Sequence, residues 1–315
     1  VYPCNPCPKK FSRITQILWG NSIVPRTARQ GLLGKMTPDR NLVVRQATPA
    51  DQARLVRLIE RSARVRIPRR WDATPDAQSV LLAESEARVV GFVSATVHCP
   101  PVGVLQGVGL ADDWPVAAVL DAIFPLCFDA LRKRGAEAAV YVGAEQWLTR
   151  PLQERAFTIV NRILTYAKED GKVPSRGNQL VRVRPAREAD LAAAVALDKL
   201  VFDPLWCNTI SILTKIWAHY PYFVVAELDG QVVGYQFNDL DGEHGHLTRI
   251  AVHPNFQGQG IGVRLMAEAM DFFQAVGVKV ITLNTQRDNF AARRLYRWFG
   301  FHRLDEEALV LRRAL

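Results

Sequence analysis

Residues 246–262 read HLTRIAVHPNFQGQGIG and change character halfway along. The first seven residues are strand-like, Pro254 ends that strand, and glycines follow at positions 258, 260 and 262. Glycine has no Cβ, so a loop with glycine at its tightest positions can turn several backbone N–H groups towards one anion. A helix that starts directly afterwards adds unpaired N-terminal amides and a favourable dipole. The stretch therefore predicts a phosphate-binding loop.

The spacing of the glycines distinguishes among phosphate ligands. A dinucleotide-binding turn needs G-x-G-x-x-G and a P-loop ends in Gly-Lys-Ser or Gly-Lys-Thr, and neither pattern is present in this stretch. The glycines instead follow Q-x-x-G-x-G from Gln257 to Gly262. Downstream, a strand-like segment leads to Asn289 and the helical sequence FAARRLYRWFGF. Asn289 and Tyr296 are two helical turns apart and share a face, with the small Ala292 between them.

These two patterns resemble the signatures of the GNAT family of N-acetyltransferases. The first matches the family's (Gln/Arg)-x-x-Gly-x-(Gly/Ala) pyrophosphate loop, and the second matches its Asn, Ala, Leu-Tyr and Gly-Phe series. The resemblance implies that acetyl-CoA is the cosubstrate and that its acetyl group passes to a primary amine, of a small molecule or a protein N-terminus, by direct attack in a ternary complex. It assigns cofactor binding to the following residues: Ile250, Ala251, Val252, Gln257, Gly258, Gln259, Gly260, Ile261, Gly262, Asn289, Ala292 and Tyr296.

The same resemblance assigns catalytic roles. A backbone amide near Val252 would face the thioester oxygen, and the Tyr296 hydroxyl would donate to the departing sulfur. Many relatives carry a Glu base on the strand before the loop, whereas this strand has Thr248 and Arg249 there. His246 is the expected base, with Glu243 and Glu227 as further candidates that are better explained as surface residues. The absent carboxylate favours an amine of low pKa, or a base that works through water.

A repeat indicates the domain organisation. NLVVRQATPAD at residues 41–51 is echoed by QLVRVRPAREAD at 179–190, and RVVGF at 88–92 is echoed by QVVGY at 231–235. A repeat this long indicates a duplicated domain. We expect an α+β (mixed α/β) fold with two tandem GNAT domains, each a central, mostly antiparallel sheet flanked by helices. The expected boundaries are a basic, partly disordered extension (1–40), a first domain (41–173), a linker (174–177) and a catalytic domain (178–315).

The first domain is expected to be degenerate. After Trp114-Pro115 it continues VAAVLDAIF, without glycine, and Asp121 falls where the second domain has its loop. A diphosphate would meet Cβ atoms and a like charge there. The position that corresponds to Tyr296 falls near Gln153 or Glu154, which are not phenol donors. We therefore expect no cofactor site in this domain, which leaves it as structural support, a pseudo-dimer partner or a wall of the acceptor pocket.

Composition narrows the remaining possibilities. The net charge is +9, yet the basic residues of the first 45 positions lack the interleaved aromatics of a single-strand binder, so we expect a solvated extension and no nucleic acid. No apolar stretch is long enough for a membrane span and no secretory leader is evident, so a cytoplasmic protein is expected. The chain is expected to be a monomer, as a pseudo-dimer of domains, or a homodimer.

No metal is expected. Cys4 and Cys7 form a C-x-x-C pair, but a structural zinc site needs two more ligands at similar spacing, and Cys99, Cys127 and Cys207 stand alone in the sequence. His244 and His246 would share a strand face without an evident third ligand.

Two other functions stay open. The chain could be a non-catalytic CoA-binding or scaffold protein, or an acetyltransferase similar to mycothiol synthase, which shares only the tandem architecture. The acceptor is expected to approach residues 202–223, where Phe202, Trp206, Trp217 and Tyr220 could form a pocket, although such apolar density is more typical of a core.

Overall fold

The structure is a computed structural model that describes residues 42–68 and 80–315. The extension expected over residues 1–40, with Cys4 and Cys7, lies outside the described residues. The first half consists of β1 (Val43–Gln46), α1 (Gln52–Arg61), β2 (Arg64–Arg66), β3 (Val80–Ser85), β4 (Arg88–Thr96), β5 (Val102–Leu110), α2 (Val116–Lys133), β6 (Ala138–Gly143), α3 (Gln146–Gln153) and β7 (Thr158–Lys168). The second half consists of β8 (Arg182–Pro185), α4 (Leu191–Val201), α5 (Ile210–His219), β9 (Tyr222–Leu228), β10 (Gln231–Asp241), β11 (His244–Val252), α6 (Ile261–Ala275), β12 (Val280–Gln286), α7 (Phe290–Trp298) and β13 (His302–Ala314).

The repeated sequence produces repeated interactions. In the second half, Arg184 bonds to Asp190 at 2.7 Å and to Glu227 at 2.8 Å. In the first half, Arg45 bonds to Asp51 and Glu84 at the same two distances. Each arginine therefore fixes the turn before the first helix of its half to the next long strand. The predicted α+β architecture of two similar, mostly antiparallel units is confirmed.

The two halves share one sheet. Among the described residues, 13 strands lie in the order β1-β3-β4-β5-β6-β13-β7-β12-β11-β10-β9-β8, with β2 paired to β5 beside this path. The last strand of each half has crossed over, because β7 pairs with β12 and β13 pairs with β6. β7 and β13 also pair with each other at the centre. The sheet therefore continues across the domain boundary expected near residue 174.

Helices cover both faces of this sheet. A Cβ added to Gly91 would meet Val119 of α2, and one added to Gly245 would meet Phe273 of α6, so both long helices pack on the same face. In the second half, the core on this face joins Met266, Met270 and Phe273 of α6 to Leu247 and Leu283. The opposite face is covered there by α4 and α5, with Leu197 and Leu213 against β10.

β11 and β12 separate partway along their length. Their parallel ladder runs from His244–Val280 to Leu247–Leu283 and ends there. Beyond that point β12 continues along β7, from Asn284 to Gln286, while β11 continues along β10 to Val252. A notch therefore opens between the two strands.

Candidate functional site

The predicted phosphate loop joins β11 to α6. Pro254–Phe256 forms a 3-10 turn, and Gly258 and Gly260 both have φ of 77°. This left-handed region is costly for a residue with a Cβ, so the two glycines are required by backbone geometry. Gly262 differs, because its φ is not positive and an added Cβ would meet only Val252 and Leu295 at 3.8 and 3.9 Å.

The loop presents a run of free amides. Arg264 is the first residue of α6 whose N–H reaches a backbone carbonyl, that of Gly260 at 3.0 Å. Within the part of the chain that the structure describes, no acceptor is found for the backbone N–H groups from Gly258 to Val263. They lie at the positive end of the α6 dipole, so an anion is favoured there.

Two side chains hold the loop in place. The Gln257 side-chain amide donates to the Val252 carbonyl at 3.1 Å and ties the loop to the end of β11. Asn178 approaches from outside, with its backbone N–H donating to the Gly260 carbonyl at 3.2 Å and its side chain to the Gln259 carbonyl at 3.0 Å. Asn178 was missed by the sequence reasoning because its contact depends on the fold.

One edge of β11 is open beside this loop. β10 pairs with one edge from His244 to Val252, interrupted only by a bulge at Thr248, whereas β12 covers the other edge only as far as Leu247. No strand among the described residues pairs with Thr248–Val252 on that side. An extended ligand can therefore add to this edge as a strand would.

Tyr296 lies across the notch on α7. Its ring is half-buried, with centroids 6.0 Å from Tyr166 and 6.2 Å from Phe301. Burial, with a smaller contribution from Tyr166, raises the pKa of Tyr296 to about 12, so the phenol keeps its proton. Asn289 is the N-cap of the same helix, since its Oδ1 accepts from the Ala292 N–H at 3.2 Å.

His246 lies at the closed end of the notch. Its Nδ1 is 3.0 Å from Thr282 Oγ1, and the Thr282 hydroxyl donates to the Gly245 carbonyl at 3.2 Å. The direction of the His246–Thr282 hydrogen bond depends on which ring nitrogen of His246 carries the proton. Asp239 stands opposite His246 on β10.

The two glutamate candidates have structural partners. Glu227 bonds to Arg184 at 2.8 Å, an interaction that Glu84 repeats in the first half. Glu243 pairs with Lys279, and its side chain is 62% exposed.

The first half fills its own notch. β5 and β6 also separate, after Leu105 and Tyr141. There β2 pairs antiparallel with the freed edge, Arg64–Arg66 against Val108–Leu110. The Arg66 side chain is 3.2 Å from Glu145, which also accepts from the Ala144 N–H. A strand of the protein thus lies where the second half has an open edge.

The structure corrects three details that were predicted from the sequence. α2 begins at Val116, directly after Pro115, so a helical turn replaces the loop and Asp121 lies inside the helix, bound to Arg155 at 2.7 Å. Its expected place at the phosphate position was wrong.

The expected counterpart of Tyr296 was also wrong. Phe301 N–H donates to the Tyr296 carbonyl, and Phe157 N–H donates in the same way to Leu152, so the counterpart is Leu152 and not Gln153 or Glu154. Cys99 and Cys207, expected to stand alone, form a disulfide between the halves, while Cys127 is a free, buried thiol.

The described residues hold no group of three or more His, Cys, Asp and Glu side chains arranged for a metal ion. Nor do residues 42–68 and 80–315 include a helix with the length and hydropathy that crossing a membrane requires.

Comparisons with known proteins bear on this site. The model of the acetyltransferase (GNAT) family matches residues 194–301, which include the loop and α7. An uncharacterized N-acetyltransferase of Methanocaldococcus jannaschii is 31% identical over 121 residues, 38% of this chain and 76% of that protein. A mycothiol acetyltransferase of Sanguibacter keddieii is 31% identical over 103 residues, 30% of this chain but only 33% of that protein.

Solved structures share the whole architecture. A tandem GNAT protein from the clavulanic acid biosynthesis pathway superposes with a TM-score of 0.59 at 11% identity, and the match covers 87% of this chain and 98% of that one. At this identity the likeness concerns the fold, in both halves.

Proposed function

The chain belongs to the GNAT family and is an N-acetyltransferase, and from this premise we propose that residues 178–315 transfer the acetyl group of acetyl-CoA to an α-amine by direct attack in a ternary complex. One observation carries the proposal: the unpaired edge Thr248–Val252 leads directly into the free amides of residues 258–263. An extended, amide-containing arm that ends in a diphosphate fits these two features in this order.

The cofactor would contact residues on both sides of the notch. Its pantetheine arm would pair with the backbone of Ile250, Ala251 and Val252, and its diphosphate would accept from the loop amides between Gly258 and Gly262. Gln257 and Asn289 would act mainly by stabilising the loop and the start of α7. The Gln257 side chain donates to the Val252 carbonyl, and the Asn289 side chain accepts from the Ala292 N–H.

Only the second half would hold acetyl-CoA. In residues 41–173 the corresponding edge is paired with β2, the loop is replaced by a turn of α2, and Leu152 replaces the phenol. We propose that this half is a structural partner, so that one chain is a pseudo-dimer with one active site.

The transfer forms one bond and breaks another. The amine nitrogen forms a bond to the thioester carbon, the C–S bond breaks, and the amine loses a proton while the thiolate leaves. With a Tyr296 pKa of about 12 and a thiol pKa of about 8.5, full proton transfer to sulfur is uphill by about 5 kcal/mol. Tyr296 therefore stabilises the departing sulfur with a hydrogen bond and keeps its proton.

The acceptor amine must be neutral to attack. At pH 7 deprotonation costs about 1 kcal/mol for an α-amine of pKa near 7.8 and about 4.6 kcal/mol for a lysine side chain of pKa near 10.4. The Glu of many relatives is absent here, and a hydrogen bond between Nδ1 and Thr282 Oγ1 fixes the ring of His246 at the closed end of the notch. We propose that His246 accepts the proton, through water, from an α-amine.

The test compares two model amines. L-Alaninamide and Nα-acetyl-L-lysinamide are each supplied with acetyl-CoA, and thiol release is followed for the wild type, Tyr296→Phe and the control Tyr222→Phe. Tyr222 stacks on Phe272 at 4.1 Å and retains that packing without its hydroxyl. We expect the α-amine to be preferred and Tyr296→Phe to lower kcat by about 10²-fold with little change in CoA affinity.

Two results would oppose the proposal. Equal kcat for Tyr296→Phe and Tyr222→Phe would remove Tyr296 as the donor to sulfur. Calorimetric binding of acetyl-CoA without turnover of any amine would favour the CoA-binding or scaffold alternative.

A further inference from the structure

A buried polar cluster in the second half lies apart from the cofactor loop. Asp198 on α4 is fully buried. Its Oδ1 accepts from the Tyr235 hydroxyl and lies 3.4 Å from Arg249 Nη1, while its Oδ2 accepts from the Asn208 backbone N–H. Both carboxylate oxygens are thus engaged by groups from three different elements.

Arg249 contacts the segment between α4 and α5 at two further points. Its guanidinium carbon is 3.9 Å from the centroid of the Phe202 ring, and its Nη2 donates to the Trp206 carbonyl at 2.6 Å. Together with the hydrogen bond from Asn208 to Asp198, these contacts of Arg249 attach residues 202–209 at Phe202, Trp206 and Asn208. We call this segment the 202–209 loop.

A β-bulge explains why Arg249 reaches the loop. β11 pairs Leu247 with Asn238 and Arg249 with Phe237, so Thr248 is an extra residue. In a regular strand Arg249 would share the face of Leu247, under α6; the extra residue turns it to the opposite face. The guanidinium is therefore anchored to the same Thr248–Val252 edge that would hold the thioester.

The other side of the 202–209 loop lies on the first half. Leu205 and Trp206 pack on a cluster formed mainly by strands β5, β6, β7 and β13, and Cys207 is bonded to Cys99. The loop therefore lies between the proposed cofactor edge and the first half of the chain.

The duplication supplies an internal comparison. Counted from the matched Arg–Asp pairs, Asp198 corresponds to Ile59, and from the matched strand pairings Tyr235 corresponds to Phe92 and Arg249 to Gly107. The first half, whose notch is occupied by β2, therefore has uncharged residues at all three positions. Because apolar replacements of a buried ion pair are often neutral or stabilising, the cluster is not needed to make this fold.

We infer that Asp198 and Arg249 are positioning residues that hold the 202–209 loop beside the thioester site and so set the affinity for the acceptor amine. This inference rests on the proposed function. Under this inference the first half supports the 202–209 loop through the packing of Leu205 and Trp206 and the Cys99–Cys207 disulfide.

The experiment uses Arg249→Met, Arg249→Lys and Asp198→Asn in the full chain, with Arg88→Met as the control. Arg88 forms an exposed pair with Asp113 in the first half. Three quantities are measured: the KM for L-alaninamide, the calorimetric Kd of CoA, and amide hydrogen exchange in residues 202–209. We expect Arg249→Met and Asp198→Asn to raise KM by about tenfold or more and to speed exchange in the loop, while the Kd of CoA stays within about twofold.

Arg249→Lys and one combined variant make the test decisive. Arg249→Lys keeps the charge but loses the planar fork that reaches Asp198 and Trp206 together, so we expect an intermediate KM. If single variants fail to fold, the combination Asp198→Ile, Tyr235→Phe and Arg249→Leu, which copies the apolar chemistry of the first half, takes their place.

The outcomes separate this inference from the proposed function. Folded variants with wild-type KM and wild-type exchange in the 202–209 loop would overturn the positioning role. A wild-type protein that binds no acetyl-CoA contradicts the proposed function instead. If the wild type binds CoA but does not acetylate L-alaninamide, the exchange measurement alone decides, and unchanged exchange rejects the inference.

Discussion

Gly260 and Gly262 provide a paired test of the phosphate loop. The two glycines are only two residues apart, but Gly260 has φ of 77° and Gly262 has no positive φ. An alanine Cβ at residue 260 would also lie 3.3 Å from the Asn178 backbone nitrogen. At residue 262 the Cβ would make only ordinary contacts.

The magnitudes follow from these geometries. Forcing a non-glycine residue into the left-handed region costs about 1–2 kcal/mol, which corresponds to about 5- to 30-fold in an equilibrium constant. If the loop relaxes to relieve this strain, its amides lose their arrangement, so we expect Gly260→Ala to weaken acetyl-CoA binding by about that factor. Gly262→Ala lies in the first turn of α6, where alanine is favoured over glycine by about 0.5–1 kcal/mol, so we expect a slightly higher Tm.

The assay is calorimetric titration with acetyl-CoA, together with thermal melting of both variants. A Kd for Gly260→Ala equal to that of Gly262→Ala, with both variants folded, would refute the account of the loop as an amide cradle fixed by its backbone. A loss of affinity in Gly262→Ala alone would refute it as well.

Two further predictions concern stoichiometry and pH. Because β2 occupies the notch of the first half, calorimetry should give one acetyl-CoA per chain, and a second site of similar affinity would contradict the assignment. The hydrogen bond from Arg184 lowers the pKa of Asp190, so its stabilisation is complete above the unfolded pKa of about 3.9 and is lost as pH falls through the folded value. In melts between pH 7 and pH 3, Arg184→Gln should start from a lower Tm and lose less of it in acid; an unchanged acid slope would count against this.

Local patterns were sufficient to predict the loop and α7. The glycine positions, the Asn289 cap and the spacing to Tyr296 each depend on residues close in sequence, and periodicity reports such relations directly. The early start of α2 was missed because Pro115 offers no capping side chain, and the equivalent Pro254 begins a 3-10 turn and a loop instead of a long helix.

The remaining features depend on residues distant in sequence. β2 against β5, Arg249 against Asp198, and Cys99 against Cys207 all join segments whose approach is decided by the sheet order. No local preference of these residues encodes that order. From the sequence, Arg249 could be described only as lying where many relatives carry a Glu, and its contact with Asp198 could not be predicted.

The exchange of β7 and β13 also bears on how the chain folds. β13 follows all the other strands of the described residues in sequence, yet it lies between β6 and β7 at the centre of the sheet. A nascent chain that has completed the first half still has the β6 edge unpaired and β7 without either neighbour. Such long-range pairing slows folding and leaves strand edges exposed until β13 is available. The first half is thus completed by a strand that follows the whole second half in sequence.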